Sequence, residues 1–130
     1  MSQPVYTFKK LRLFSSVIGL MYRDVQGDIQ TWTHADVKTQ ISNWVQQHYP
    51  NEQLCVHLSQ VETLLYCFNG NMIEEPAIRV SGEFDPPLTD EDMKTLLVNF
   101  FGFLKTALRQ QSVKFQYQGY QEGPIVIRVI

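Results

Sequence analysis

The chain has 130 residues and 15.1 kDa, of which 44% are hydrophobic and 18% charged, a size and balance that predict one folded domain over 1–130 and argue against disorder as its resting state. Eleven Lys and Arg against thirteen Asp and Glu leave a formal charge of −2, which excludes the strongly basic footprint of a nucleic-acid or anionic-membrane binder. Two cysteines cannot define a disulfide framework.

In chain order, Val5 to Phe14 and Val17 to Val25 predict an opening β-hairpin, with Ser15-Ser16 as its turn or as a bulge. The apolar run Leu13 to Tyr22 is about ten residues long, short of the ~20 that a spanning helix needs, and no small-residue cleavage site follows it. No membrane span and no export signal are therefore expected, and the cytosol is the expected compartment. Lys9, Lys10 and Arg12 stand beside Tyr6, Phe8 and Phe14, the ingredients of a surface for single-stranded nucleic acid. Cations on the outer face of an opening strand also guard its edge against aggregation. That second reading is preferred, and no nucleic-acid partner is expected.

Two helices announce themselves by their caps. Thr33 with Asp36 and Thr89 with Asp92 have the spacing at which a hydroxyl accepts from an early helical N–H and an acid reaches back. The first helix then carries Val37, Ile41, Trp44, Val45 and His48 on one face and stops at Tyr49-Pro50. The second carries Met93, Leu96, Leu97, Phe100, Phe101, Leu104, Ala107 and Leu108.

After the first helix, the alternation of Leu54, Val56 and Leu58 predicts a strand. A hairpin loop at Gln60-Val61-Glu62 would lead to a second strand from Thr63 to Phe68, followed by a loop from Asn69 to Pro76 and a strand from Ala77 to Phe84. After the second helix, Val113 to Tyr117 and Ile125 to Ile130 predict a hairpin joined by Gly119 to Pro124. The segment Val25-Gln26-Gly27-Asp28-Ile29 recurs as Val80-Ser81-Gly82-Glu83-Phe84, each copy upstream of a capped helix. The expected fold is α+β: an antiparallel sheet with both amphipathic helices on one face and a pseudo-twofold repeat, strand-helix-hairpin twice, with halves near 1–68 and 69–130.

Reactive groups are sparse. Cys55 and His57 share a face of their strand, and the expected hairpin would set Cys67 opposite Cys55. Three such groups match the protein ligands of a catalytic zinc, and a Cys/His pair is a minimal activated nucleophile. The second copy puts Lys114 and Gln116 at the matching positions, so ordinary reduced thiols are expected. His48 is expected to pack its ring in the last helical turn and meet a terminal carbonyl. Asp90, Glu91 and Asp92, with Asp85 upstream, are read as helix-start electrostatics, because no cation-loop glycine or final glutamate accompanies them. The glycines form no phosphate cradle. No catalytic, cofactor-binding or metal-ligating residue is assigned, and no cofactor is expected.

Thr95, Val98, Gly102 and Thr106 fall opposite the core stripe of the second helix. A mid-helix glycine costs ~1 kcal/mol against alanine, and close approach of another backbone is the usual reason for one. This face is the expected contact surface for a protein partner, a second copy of the chain in a homodimer included. The expected function is a non-catalytic interaction, regulatory or assembly module. The alternative is a small redox or metal-dependent enzyme using Cys55, His57 and Cys67.

Overall fold

Alternating segments become strands and the two threonine-led stripes become helices in the computed structural model, which describes residues 3–7, 11–51, 54–84, 88–121 and 123–130. Among the described residues the order is β1 (Leu13–Gly19), β2 (Met21–Arg23), β3 (Ile29–Thr31), α1 (His34–His48), β4 (Leu54–Phe68), β5 (Asn71–Phe84), α2 (Asp90–Ala107), β6 (Val113–Gln118) and β7 (Ile125–Val129). The expectations for Phe8, Lys9, Lys10 and Asp85 lie outside the described residues. No helix of the described residues is long and apolar enough to cross a membrane.

The chain is α+β with an antiparallel sheet and two helices. Five strands lie in the order β4-β5-β1-β6-β7, while β2 and β3 pair separately. The passages β1-α1-β4 and β5-α2-β6 interleave, each skipping one antiparallel strand, which is the split βαβ arrangement. Thr33 and Asp36 form the complete capping box at α1, and the Thr89 hydroxyl accepts from Asp92 N–H at 3.1 Å to open α2. The helices bury Val37, Ile41 and Trp44, and Met93, Leu96, Leu97, Phe100, Phe101 and Leu104, respectively. These meet Phe14 and Ile18 of β1, Ile78 and Val80 of β5, and Val113, Phe115 and Tyr117 of β6 in one core. Phe101 stacks on Phe115 with ring centroids 4.6 Å apart, a contact that aromatic quadrupoles reward beyond area alone.

The strand plan departs from the expected one in four places. Ser15 and Ser16 are neither turn nor bulge: β1 runs through them in regular register with β5, and the buried Ser16 hydroxyl donates to the Lys114 carbonyl at 2.5 Å. No hairpin loop forms at Gln60-Val61-Glu62; β4 continues as one strand of 15 residues with a register shift between Ser59 and Glu62. The expected loop Asn69 to Pro76 is instead a tight turn at Asn69-Gly70 followed by strand. Both turn residues have positive φ, 52° and 79°, the requirement of a two-residue type I′ hairpin turn that Asn-Gly satisfies at least cost. Arg12 is not a guard on an outer face: it is buried, and its guanidinium donates to Leu88 O at 2.7 Å.

The two segments taken as copies have different backbones. Gly27 turns the β2–β3 hairpin at φ 85°, whereas Gly82 lies inside β5, where a Cβ would strike the Cys55 carbonyl. After α1 comes one long strand, and only after α2 the expected hairpin, β6–β7.

Candidate functional site

A cleft arises where the sheet partners part company. β1 pairs with β5 only from Ala77 to Glu83, so the outer half of the β4–β5 hairpin extends past the end of β1. The chain leaves the sheet there: Leu20 N–H donates to Pro76 O, and the next residues form the β2–β3 hairpin. That hairpin is tied back, because Trp32 N–H donates to Leu20 O at 2.8 Å and Trp32 Nε1 donates to Leu108 O at 2.9 Å. The space enclosed between β2, the outer hairpin and the end of α2 is lined by Tyr22, Tyr66, Phe68, Ile73, Glu75 and Arg109, among others.

Glu75 is the chemical centre of this cleft. Alternation from the Asn-Gly turn puts it on the inward face with Ile73 and Ala77, and it is only 8% exposed. A buried carboxylate needs donors. Met21 N–H supplies one at 3.0 Å, and the Tyr66 hydroxyl supplies another from the diagonal position across the hairpin. Burial, then the charge and the hydrogen bond of Glu75, push the Tyr66 phenol above its ordinary range. The carboxylate lies over Gly19, where a Cβ would come within 2.6 Å of Glu75 Cδ.

Aromatic faces form the walls. Tyr22 stacks on Trp32 with centroids 4.1 Å apart, and Phe68 is 60% exposed at the rim. The arrangement of a buried anion among aromatic faces suits an organic cation, which draws on both the charge and the ring quadrupoles. A second cleft, between α1 and β4, is lined by His34, Lys38, Ile41, Ser42, Leu54 and Leu58, among others; Ile41 is the buried one of these six, and no acid lines the cleft.

The alternative, a site built from Cys55, His57 and Cys67, fails on topology. Cys55 Sγ does lie 3.5 Å from His57 Nε2 on an exposed strand surface. Cys67, however, sits twelve residues further along the same strand, roughly 40 Å away at the rise of extended chain, and it pairs with Met72. The three groups do not converge, and no cluster of three or more His, Cys, Asp or Glu among the described residues is arranged to hold a metal. His48 stacks its ring on Trp44 and its Nδ1 lies 3.0 Å from Trp44 O, the packing role its position calls for. Thr95, Val98 and Thr106 are exposed on α2. Gly102 is half-buried, and a Cβ placed there would have Val129 of β7 as its nearest neighbour, at 3.7 Å.

Sequence reasoning missed Glu75, Tyr66 and Gly19. The available signal was Asn69-Gly70 between two β-rich runs, which fixes the register and so the inward phase of Glu75.

No protein-family profile matches the chain, and no curated protein matches it. Among solved structures, a phage SAM lyase in complex with S-methyl-5′-thioadenosine is similar over 97% of this chain and 95% of its own, at 18% identity and a TM-score of 0.63. A phage SAM lyase in the apo state is similar over 96% and 95%, at 19% identity and a TM-score of 0.63. The expected non-catalytic regulatory or assembly module is overturned by this likeness: over nearly its whole length, the chain has the fold of an enzyme, phage SAM lyase.

Proposed function

We propose that the chain cleaves S-adenosylmethionine without water and releases S-methyl-5′-thioadenosine at the Glu75 cleft. The observation that carries this reading is the buried Glu75 carboxylate, set among Tyr22, Tyr66 and Phe68 in a chain with this fold. The substrate is an organic cation twice over, at sulfur and at its ammonium group. Glu75 binds the ammonium, and the aromatic faces take the adenine ring and the sulfonium.

The chemistry follows from charge. When the bond between sulfur and Cγ breaks, its electron pair stays on sulfur, and the sulfonium becomes a neutral thioether. The amino-acid fragment then satisfies Cγ within itself, by closing its own carboxylate oxygen onto that carbon as a lactone, with no proton lost or gained in the step. Positive charge disappears from sulfur in the transition state, so apolar contact at sulfur, of the kind Ile73 offers in this cleft, favours that state over the bound substrate relative to water.

The test is incubation of the purified chain with S-adenosylmethionine and chromatography of the products. Wild type is expected to release S-methyl-5′-thioadenosine, and Glu75→Gln, which retains an acceptor for Met21 N–H but loses the charge, to lower kcat/KM by about 100-fold. Absence of the thioether with wild type, or full activity in Glu75→Gln, overturns the proposal.

A further inference from the structure

We infer that Arg109 is the specificity residue of this cleft and binds the carboxylate of an amino-acid-bearing substrate; this rests on the proposed sulfonium chemistry and extends it to a residue with its own structural signature. The α2 helix ends in a Schellman motif, with Gln110 N–H donating to Lys105 O at 2.9 Å and Arg109 N–H to Thr106 O at 3.2 Å. Arg109 occupies the left-handed position of that motif at φ 55°. Glycine is the usual residue there because a Cβ is strained in that conformation. An arginine at a position that favours glycine points to use of its side chain.

The side chain has a place to act. Arg109 lines the same cleft as Glu75, and its guanidinium carbon lies 5.8 Å from the Tyr22 ring centroid. Its head is not committed elsewhere: among the described residues, none accepts a hydrogen bond from the Arg109 guanidinium, and Asp24 acts on it through charge alone. The other arginine of the cleft, Arg23, is committed, since its guanidinium donates to Gly27 O at 2.8 Å in its own turn. Gln110 fixes the base of the segment by donating from Nε2 to Met21 O and to Leu108 O, both at 3.0 Å.

A cleft with a buried carboxylate and an uncommitted guanidinium is complementary to a zwitterion, ammonium to the first and carboxylate to the second. Arg109 therefore separates S-adenosylmethionine from cations of similar size that lack the carboxylate.

The test is binding of three ligands to wild type and to Arg109→Gly, read by stopped-flow tryptophan fluorescence before the first turnover is complete: S-adenosylmethionine, its decarboxylated analogue, and S-methyl-5′-thioadenosine. Arg109→Gly places the preferred residue at the left-handed position, so the variant is expected to melt no lower than wild type. It is expected to lose about 10- to 100-fold in affinity for S-adenosylmethionine, the size of a charge-assisted hydrogen-bonded pair, and less than about twofold for the other two ligands. Equal loss for all three, or no loss for any, overturns the role of Arg109 and leaves the sulfonium reading standing. Wild type that binds none of the three overturns both.

Discussion

Gly19 decides where the Glu75 carboxylate can sit. It is the last residue of β1, and any side chain there would occupy the carboxylate's position. The obstructed group is the far end of a flexible side chain and not backbone, so Gly19→Ala is accommodated by swinging the carboxylate aside. The predicted consequences are local. Met21 N–H loses its acceptor, a loss of about 1 kcal/mol in stability, while cleavage of S-adenosylmethionine falls by about 10-fold or more because a misplaced charge no longer holds the substrate. Urea unfolding and product chromatography on the same preparation check this. Full activity in a folded Gly19→Ala protein would show that the seat of Glu75 is irrelevant to turnover.

At the scale of elements, the helices were legible and the long hairpin was not. Each helix carries its own start signal and its own apolar stripe, so Thr33, Asp36, Thr89 and Asp92 located both helices without reference to the rest of the chain. The β4–β5 hairpin reaches past the end of β1, and in that outer half the alternation is blurred because Leu65, Phe68 and Met72 are exposed along with their polar neighbours. The register shift after Ser59 then reads as a break, and the break conceals the true turn at Asn69-Gly70. Losing that turn lost the phase of Glu75, and with it the cleft. Gly102 illustrates the same limit within a legible helix: its spacing is plain from the sequence, but its neighbour, Val129 of β7, is a matter of tertiary packing. A Cβ at Gly102 would make ordinary van der Waals contact with Val129 at 3.7 Å. Gly102→Ala is therefore predicted to stabilise the protein by about 0.5–1 kcal/mol through helix propensity, read as a higher urea midpoint with an unchanged slope. A lower midpoint would mean that β7 cannot yield even the room for a methyl group.

Across the whole molecule, the acid that holds the fold and the acid assigned to the chemistry stand at opposite ends of β1. Arg12, just before β1, is buried with its guanidinium 4.5 Å from the Tyr120 ring centroid, and it donates to Leu88 O ahead of α2. Asp90, in the first turn of α2, accepts from Tyr117 Oη at 2.7 Å, Gln121 N at 2.9 Å and Tyr120 N at 3.1 Å. Together they tie the entry to the sheet, the start of α2 and the end of β6. The hydrogen bond from Gln121 N–H, with those from Tyr117 and Tyr120 and the charge of Arg12, outweighs partial burial and holds the Asp90 carboxyl below its ordinary range. Burial and the Asp90 hydrogen bond push the Tyr117 phenol far above its own. A carboxyl whose folded pKa is depressed stabilises the native state above its unfolded pKa of about 3.9, and that contribution is lost as pH falls through the lower, folded value. Urea melts of wild type and Asp90→Asn are thus expected to differ most near neutrality, the difference shrinking as pH falls below the unfolded value of about 3.9. A difference that persists undiminished in acid would show that Asp90 acts by shape and not by charge. Because the seven residues of β1 span roughly 23 Å of extended chain between this knot and Gly19, the Asp90→Asn protein, where folded at pH 7, is expected to keep wild-type cleavage of S-adenosylmethionine; a loss there as large as that of Glu75→Gln would mean the two ends of the strand are coupled.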